Sequence, residues 1–526
     1  MKMNNRDSKI DKEFIPHSLF LVCIGICAAA LLFWTMVYGP GFSPDSTKYL
    51  AVAKNLLAGN GFYGNDIPVA HYPPVYPLLL ATVNIFETGD NLLASRLLHA
   101  ILFGANACLI VYAVQKCTDY SFWASTLILF LFVFSSPFIL IHSTAWSESP
   151  FIMFSLCTLI LCSYYCIHPS IKILLVTSVM SSLAIATRYI GITLLPTIVA
   201  GIILFGNTSL RHKFRDAFIA VIVSCLPISI WIISNLIVTQ SATDRSFAFH
   251  PIGIDHIKTL IETLYYFVLP VQSPGWIQAL LIFGIASALF LSIFKVPFQA
   301  ASLKEGKNSF RFILFSLCLI FFFTYISFLV ISISFFDAHT PLDSRILAPA
   351  FLALIIAIVV LIWYLFQSPE QRFIKWGLLS LAILSIALNS RNAVSQIIDI
   401  HNNGIGYSSK SWRNSETIHY LKSASLNGNI YTNGADVFRF WTGMEAMIFP
   451  KKIEETTLIP NDDYSEQLQR LCDAVMEGKA TIIFFTGISR SYFPKLSEFK
   501  SKCDLPILME LNDGFIFGKQ ASTDSE

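Results

Sequence analysis

The sequence has 526 residues, of which 54% are hydrophobic and 13% are charged, and its net charge is +2. Soluble globular proteins carry about 25% charged residues, so the composition indicates a polytopic membrane protein. The near-neutral charge balance gives no basic signal for nucleic-acid binding.

The N-terminal end predicts a transmembrane helix that is retained. Residues 1–16 are polar and basic, and we predict a cytoplasmic tail there. The apolar run that follows, Ser18–Tyr38, is longer than a signal-peptide core. It is about long enough to cross a bilayer, which takes ~20 residues.

Further apolar segments lie between charged or turn-rich breaks and predict an all-α membrane domain over residues 17–390. With the same length requirement, we predict about eleven spans: 17–38, 91–115, 121–141, 149–167, 171–186, 189–206, 216–238, 275–294, 311–335, 345–366 and 374–390. Two shorter apolar pieces, 76–87 and 258–271, predict re-entrant or interfacial helices.

The distribution of lysine and arginine predicts the orientation. With a cytoplasmic N-terminus, the two richest internal basic clusters, 211–215 and 295–311, lie on the cytoplasmic side, as the positive-inside rule requires. An odd number of spans then places the chain beyond about residue 390 outside the cytoplasm.

The C-terminal part changes character. Residues 391–410 predict a linker, and 411–526 predict a small extracytoplasmic α/β domain with helices at 411–423 and 465–476 and strands at 429–432, 480–486, 506–510 and 514–518. Cys472 and Cys503 could pair there if this domain is exported. The other nine cysteines lie in or beside apolar segments and have no metal-ligand spacing.

The first external loop, residues 39–90, is polar, aromatic and proline-rich. Asp45 lies in Ser-Pro-Asp-Ser, before a predicted helix over Thr47–Ala58 that ends at Gly59-Asn60-Gly61. We expect this helix to lie on the membrane surface. Asp45 is either its N-cap or a general base that takes a proton from an acceptor hydroxyl.

Other ionisable residues fall near the same membrane face, and charges at membrane level usually mark function. Arg188 and Arg345 could bind a lipid phosphate bidentately, although Arg345 could instead pair locally with Asp343. Glu148 could orient Asp45, a sugar or a metal, or simply favour a helix N-terminus. Any one of these side chains could also be merely solvated. The remaining candidates at this face are Lys48, Tyr49, His71, Tyr72, Asp337 and His339.

Five motifs together resemble a known enzyme class. They are PDSxxYxxxAxNLLxGxGF, YPPxYPLLLA, SExPF, TRYxGxxLLP and SRxLxPAxLAL. They are similar to the GT-C glycosyltransferases over about residues 15–390, especially the bacterial relatives of protein O-mannosyltransferases and the lipid A aminoarabinose transferase (glycosyltransferase families 39 and 83). Two positions depart from these relatives. Asp45 is followed by Ser46 rather than glutamate, and Tyr72 stands where the aminoarabinose transferase has lysine.

The resemblance implies an inverting transfer of a hexose or pentose from a polyprenyl-phosphate donor to a hydroxyl of an envelope lipid, glycan or protein. It implies Asp45 as the base, and His71, Tyr72, Arg188 and Arg345 as lipid-phosphate contacts. From their positions we also predict Glu148 as a second catalytic residue, and Lys48 and Tyr49 as substrate or lipid-phosphate contacts. A divalent metal is compatible but not required. The expected location is the bacterial inner membrane, with the active site and the C-terminal domain extracytoplasmic.

Alternative functions for such a chain are a transporter or flippase of lipid-linked sugars, a polysaccharide polymerase or ligase, and a non-catalytic scaffold. Transporters tend to show internal repeats and charges at the membrane midplane. Here the charges gather at one face, which favours chemistry at an interface.

Overall fold

The computed structural model describes residues 7–519 except 65–66, 86–91, 246, 301–308, 339, 368–371, 425, 427, 456 and 504. His339 and two lysines of the basic cluster 295–311, Lys304 and Lys307, therefore lie outside the described residues.

The described part of the chain is mostly helical. The helices of its membrane domain are α1 (Asp7–Thr35), α2 (Pro44–Leu57), α3 (Val75–Asn84), α4 (Leu92–Cys117), α5 (Phe122–Val133), α6 (Ser136–Ser143), α7 (Glu148–Ile167), α8 (Ile171–Thr187), α9 (Leu194–Phe205), α10 (Leu210–Thr239), α11 (Ile254–Val268), α12 (Gly275–Ala300), α13 (Phe310–Phe335), α14 (Ser344–Gln367) and α15 (Arg372–Asn403). A short 3-10 helix, Tyr189–Thr193, precedes α9.

Among the described residues, seven helices are long and apolar enough to cross a membrane: α1, α4, α7, α10, α13, α14 and α15. The pair α5 and α6, bent by 59° at its break, raises the number to eight. The predicted segments 171–186 and 189–206 fall on shorter apolar helices, and 275–294 falls on α12, of which the stretch Gly275–Ser287 forms a shorter apolar helix. The all-α membrane domain is thus confirmed, and the chain is a multi-pass membrane protein.

The first external loop folds over the helix ends. It contains α2, a two-stranded hairpin of β1 (Tyr63–Gly64) and β2 (Ile67–Pro68), and α3. Helix α2 ends where predicted, since Gly59 adopts a φ of +81° just beyond it. The predicted segment 76–87 corresponds to α3, and 258–271 to α11.

The small C-terminal α/β domain is also confirmed. Its helices are α16 (Lys410–Arg413), α17 (Glu416–Ser423), α18 (Ala435–Thr442), α19 (Tyr464–Met476) and α20 (Leu496–Lys502). Its strands are β3 (Asn429–Thr432), β4 (Met447–Ile448), β5 (Ala480–Phe485), β6 (Ile507–Leu511) and β7 (Gly514–Phe517), in the sheet order β4-β3-β5-β7-β6. The four predicted strands are present, whereas the predicted helix 411–423 is divided into α16 and α17.

The C-terminal domain packs directly on the first loop. Phe42 and Leu50 share one apolar cluster with Val437 and Phe438 of α18. The backbone N–H of Tyr407 donates to the Phe42 carbonyl at 2.9 Å. The membrane domain and the C-terminal domain therefore meet around the N-terminal half of α2.

Cys472 of α19 and Cys503, just after α20, form a disulfide. Their Cα atoms are 5.5 Å apart, within the usual range for such a bond. The bond links the helix that packs on β5 to the segment that leads into β6.

Candidate active site

Asp45 lies in the first turn of α2, the helix that joins the two domains. Pro44 occupies the first helical position, where its missing N–H costs nothing. The N-cap is Ser43, whose Oγ accepts from the Ser46 N–H at 3.4 Å. The prediction that Asp45 could cap a helix over 47–58 is wrong, because the helix begins earlier and leaves the Asp45 carboxylate free to point elsewhere.

The Asp45 carboxylate is held at both oxygens. Tyr72 Oη donates to Oδ1 at 2.7 Å, and Arg345 Nη2 contacts Oδ2 at 2.9 Å. Burial alone would raise the pKa of Asp45, but the Arg345 charge, the two hydrogen bonds and the Lys48 charge outweigh it and lower the pKa below its ordinary value. Asp45 is therefore ionised, with 32% of its side chain still exposed.

Behind Asp45, a buried carboxylate joins two arginines. Glu148, 1% exposed at the start of α7, accepts from Arg345 Nε at 2.5 Å and forms an ion pair with Arg188. Arg188 also donates to Ser147 Oγ at 3.1 Å. Each of the buried charges in this cluster therefore has an oppositely charged partner, which a buried charge requires.

The alternative of a local pair between Asp343 and Arg345 is wrong. The Asp343 carboxylate accepts from the Ile346 N–H at 2.9 Å and so caps α14. The Arg345 guanidinium instead reaches Asp45 and Glu148, and it stacks over Trp146 with 4.4 Å between the guanidinium carbon and the ring centroid.

Three tyrosines of the first loop pack edge to face beside this ion-pair cluster. The ring centroids of Tyr49 and Tyr72 are 4.7 Å apart, and those of Tyr49 and Tyr76 are 4.9 Å apart. Tyr49 Oη lies 3.3 Å from Ser147 Oγ. Burial, followed by the Asp45 charge, raises the pKa of Tyr72 well above its ordinary value, so Tyr72 stays protonated and remains a donor.

Further basic side chains lie in the same cavity as Asp45. Burial first, then the positive charges of Arg245 and Lys48, lower the pKa of His71, which favours a neutral imidazole. Arg245 Nη2 is 4.0 Å from Asp337. Lys48 has no ion-pair partner among the described residues, and its ammonium lies 5.8 Å from the Tyr72 ring centroid. Sequence reasoning missed Arg245, because a single charge in an external loop is ordinary.

One cavity of about 670 Å³ collects these side chains. It brings together seven of the eight predicted site residues: Asp45, Lys48, Tyr49, His71, Tyr72, Arg188 and Arg345. Glu148 lies behind the wall, in contact with both arginines. Asp337 and Arg245 also line the cavity.

The C-terminal domain supplies part of the cavity wall, which sequence reasoning did not foresee. Its lining side chains include Asp436, Arg439, Lys451, Glu455, Arg490 and Tyr492. They come from α18 and from loops that have no motif of their own. The sequence signal that could have found them is weak, because it consists only of charges next to aromatic residues.

For a metal, the described residues contain no group of three or more His, Cys, Asp or Glu side chains placed to hold one. Asp45 and Glu148 are both ion-paired with Arg345. His71 lies near the positive charges of Lys48 and Arg245.

Comparison with protein families gives one match. Residues 48–240 match the family described as dolichyl-phosphate-mannose-protein mannosyltransferase. This region runs from α2 to the end of α10 and includes His71, Tyr72, Glu148 and Arg188. No curated protein sequence matches the chain.

Several solved membrane glycosyltransferases share the fold. ArnT from Cupriavidus metallidurans bound to undecaprenyl phosphate aligns with a TM-score of 0.57 at 10% identity, covering 95% of this chain and 98% of that one. The apo state of the same protein aligns with a TM-score of 0.52 at 11% identity, and the alignment covers 94% of this chain and 97% of that one. A third match is the oligosaccharyltransferase AglB from Archaeoglobus fulgidus in complex with an inhibitory peptide and a dolichol-phosphate. It aligns with a TM-score of 0.51 at 12% identity, and the alignment covers 89% of this chain and 69% of that one.

Proposed function

We propose that this chain, whose fold is shared by solved membrane glycosyltransferases and whose residues 48–240 match a mannosyltransferase family, is itself a membrane glycosyltransferase. In this proposal it moves a sugar from a polyprenyl-phosphate donor to an acceptor hydroxyl, with inversion, at the cavity next to Asp45. The observation that carries the proposal is the ionised Asp45 carboxylate, fixed by Tyr72 and Arg345 and facing a cavity lined by further cations. The structural relatives whose structures contain undecaprenyl phosphate or dolichol-phosphate support a lipid-linked donor.

In the proposed reaction, Asp45 accepts the proton of the acceptor hydroxyl as its oxygen attacks the anomeric carbon. The bond from that carbon to the phosphate oxygen breaks, and its electron pair leaves with the polyprenyl phosphate. The leaving group gains one negative charge. Cations placed beside the phosphate stabilise this charge where it develops.

We assign the phosphate to the side of the cavity that holds Lys48, His71 and Arg245. Lys48 has no carboxylate partner in the described chain, and Arg245 is only loosely paired with Asp337, so both are available to an anion. Neutral His71 could donate a hydrogen bond. Arg345, which already contacts Asp45, also lines the cavity.

Arg188 then has a positioning role. Arg188 pairs with buried Glu148 and donates a hydrogen bond to Ser147. These two contacts hold Glu148, which also pairs with Arg345, in place. Glu148 in turn fixes Arg345, and through it Asp45. We place the reaction on the extracytoplasmic face of a bacterial inner membrane, because the cavity lies on the same side as the disulfide-bonded C-terminal domain.

Asp45→Asn tests the proposal. The protein is purified in lipid nanodiscs and incubated with polyprenyl-phosphate hexoses and pentoses, with an envelope extract of a deletion strain as acceptor. We expect the rate of polyprenyl-phosphate release to fall by roughly 10²–10⁴-fold, the usual contribution of a general base. Donor binding should persist.

Asp399→Asn is the matched control, because Asp399 lies on α15 away from the cavity and bonds only its helix neighbour Asn403. It should transfer at the rate of the unmodified protein. Full transfer by Asp45→Asn would remove Asp45 from the mechanism.

A further inference from the structure

We propose that the C-terminal domain forms a saccharide-binding wall of the cavity, and that the acceptor is an uncharged glycan lying against it. This inference rests on the transfer reaction proposed above and specifies its acceptor. It concerns the part of the cavity wall formed by α18 and by the segments around residues 451–455 and 490–493.

Helix α18 is built to present polar groups to the cavity. Asp436 and Arg439 are three positions apart and so share one helix face, and both line the cavity. Val437 and Phe438 are fully buried on the other side, in the apolar cluster that includes Leu50 of α2. The wall is therefore fixed to the same helix that carries Asp45.

Each cation of the wall already has a carboxylate partner. Arg490 Nη2 contacts Asp436 Oδ2 at 2.8 Å, and Lys451 Nζ contacts Glu455 Oε1 at 3.0 Å. Arg439 forms an ion pair with Glu445. Lys451 Nζ also lies 3.6 Å from Glu454 Oε1. Each of the three cations is therefore already paired with at least one carboxylate.

This pairing favours an uncharged, hydroxyl-rich ligand over an anionic one. An anionic acceptor would have to compete with the carboxylates for their cations. A sugar hydroxyl both donates and accepts, so it can bond a carboxylate and a guanidinium of the same pair. Tyr492 and Phe493 add apolar surface beside the pairs, as is typical of small-molecule sites.

A peptide acceptor is the competing occupant, because β4 is an edge strand and Ile448 lines the cavity. Extended peptides bind sheet edges through main-chain hydrogen bonds. However, β4 has only two residues, which offers very few such bonds. The paired charges extend over more of the wall.

The test measures ligand binding by the full-length protein in nanodiscs with saturation-transfer NMR. The probes are uncharged disaccharides of glucose, galactose and N-acetylglucosamine, the matching uronic acids, and a serine- and threonine-containing peptide. We expect signals from one or more uncharged disaccharides, and about tenfold weaker binding in Arg490→Gln, since a hydrogen bond from a charged group is lost.

Arg470→Gln is the matched control. Arg470 lies on α19 of the same domain, pairs with Glu466 at the surface, and does not line the cavity. It should bind like the unmodified protein. Asp436→Asn, which keeps the size of the side chain, serves as a second variant if Arg490→Gln does not fold.

Binding of only uronic acids or only the peptide would overturn the inference, as would equal disaccharide binding in the unmodified protein, Arg490→Gln and Asp436→Asn. Polyprenyl-phosphate binding is measured in parallel. If Asp45→Asn keeps full transfer while disaccharide binding depends on Arg490, the proposed base is wrong and the saccharide wall stands.

Discussion

Asp45 combines two contacts that keep its carboxylate ionised but reduce its strength as a base. Tyr72 and Arg345 both stabilise the charged form. A donor phosphate bound beside Arg345 would share that guanidinium and weaken its hold on Asp45. The ion pair would thus hold Asp45 in place before the donor binds. Once the donor is bound, the weaker contact with Arg345 would let the pKa of Asp45 rise and make it a stronger base.

Tyr72→Phe tests this balance through pH. The hydrogen bond from Tyr72 lowers the pKa of Asp45, so its loss raises that pKa. Because the proposed mechanism needs ionised Asp45, activity should fall at a higher pH on the acid side than in the unmodified protein. The measurement is the pH profile of kcat/KM. Tyr63→Phe, in the hairpin and outside the cavity, should leave the acid limb unchanged, and an unmoved limb in Tyr72→Phe would argue against the contact.

Glu148→Gln, in the buried ion-pair cluster, should destabilise the protein much more than Asp119→Asn, which breaks an exposed ion pair. Glu148 is 1% exposed and balances two guanidiniums. Removing its charge takes the carboxylate partner from mostly buried Arg188 and leaves Arg345, among the described residues, with Asp45 alone, a loss of about 3–5 kcal/mol. Asp119→Asn removes the partner of Arg311, but Asp119 is 71% exposed, so the loss should be ~1 kcal/mol or less. Equal Tm shifts for the two variants in detergent would contradict the assignment.

The residues of the site were partly predictable. Positive-inside orientation and the motifs placed Asp45, Arg188 and Arg345 at one face, and the cavity does bring them together. Which groups pair was not predictable, since Asp45 and Arg345 are 300 positions apart. Arg245 and Arg490 were not predicted as site residues, because the role of a single charged residue in a loop depends on which distant residues the fold brings next to it.

At the scale of elements, the long apolar helices and the strands of the C-terminal sheet were predictable from apolar runs and alternation. Helix α18 and strand β4 were not, because residues 435–448 are short elements whose form depends on packing against α2 and β3. The docking of the C-terminal domain on the first loop depends on such tertiary contacts. It gives the cavity part of its wall.

Gly406→Ala tests that docking. Gly406 has a φ of +60°, and a Cβ there would lie 2.2 Å from the Phe42 carbonyl oxygen, so the substitution forces the linker away from the first loop. We expect faster proteolysis between the domains and reduced transfer. Gly443→Ala has a similar φ of +72° but no atom within 4 Å of the new Cβ. It should therefore cost only backbone strain and keep the domains together.

At the scale of the whole molecule, the cavity, the C-terminal domain and the disulfide must lie on one side of the membrane. Disulfides persist in oxidising compartments and are rare in the cytosol. The Cys472–Cys503 bond therefore agrees with the orientation that the basic cluster at 211–215 predicts. Both arguments support the proposal that transfer takes place outside the cytoplasm, where no nucleotide sugar is at hand and a lipid-linked donor would be needed.

Single-cysteine exposure tests this orientation. In Cys472→Ser the partner, Cys503, becomes a free thiol, and intact cells treated with a membrane-impermeant maleimide should label it without reductant. The unmodified protein should be labelled at that position only after reduction, because both thiols are consumed in the bond. Cys503→Ser should behave in the same way through Cys472, although more slowly, since Cys472 is 2% exposed and packs in the domain core. Labelling of Cys503 only after the cells are broken would place the domain, and with it the cavity, on the cytoplasmic side.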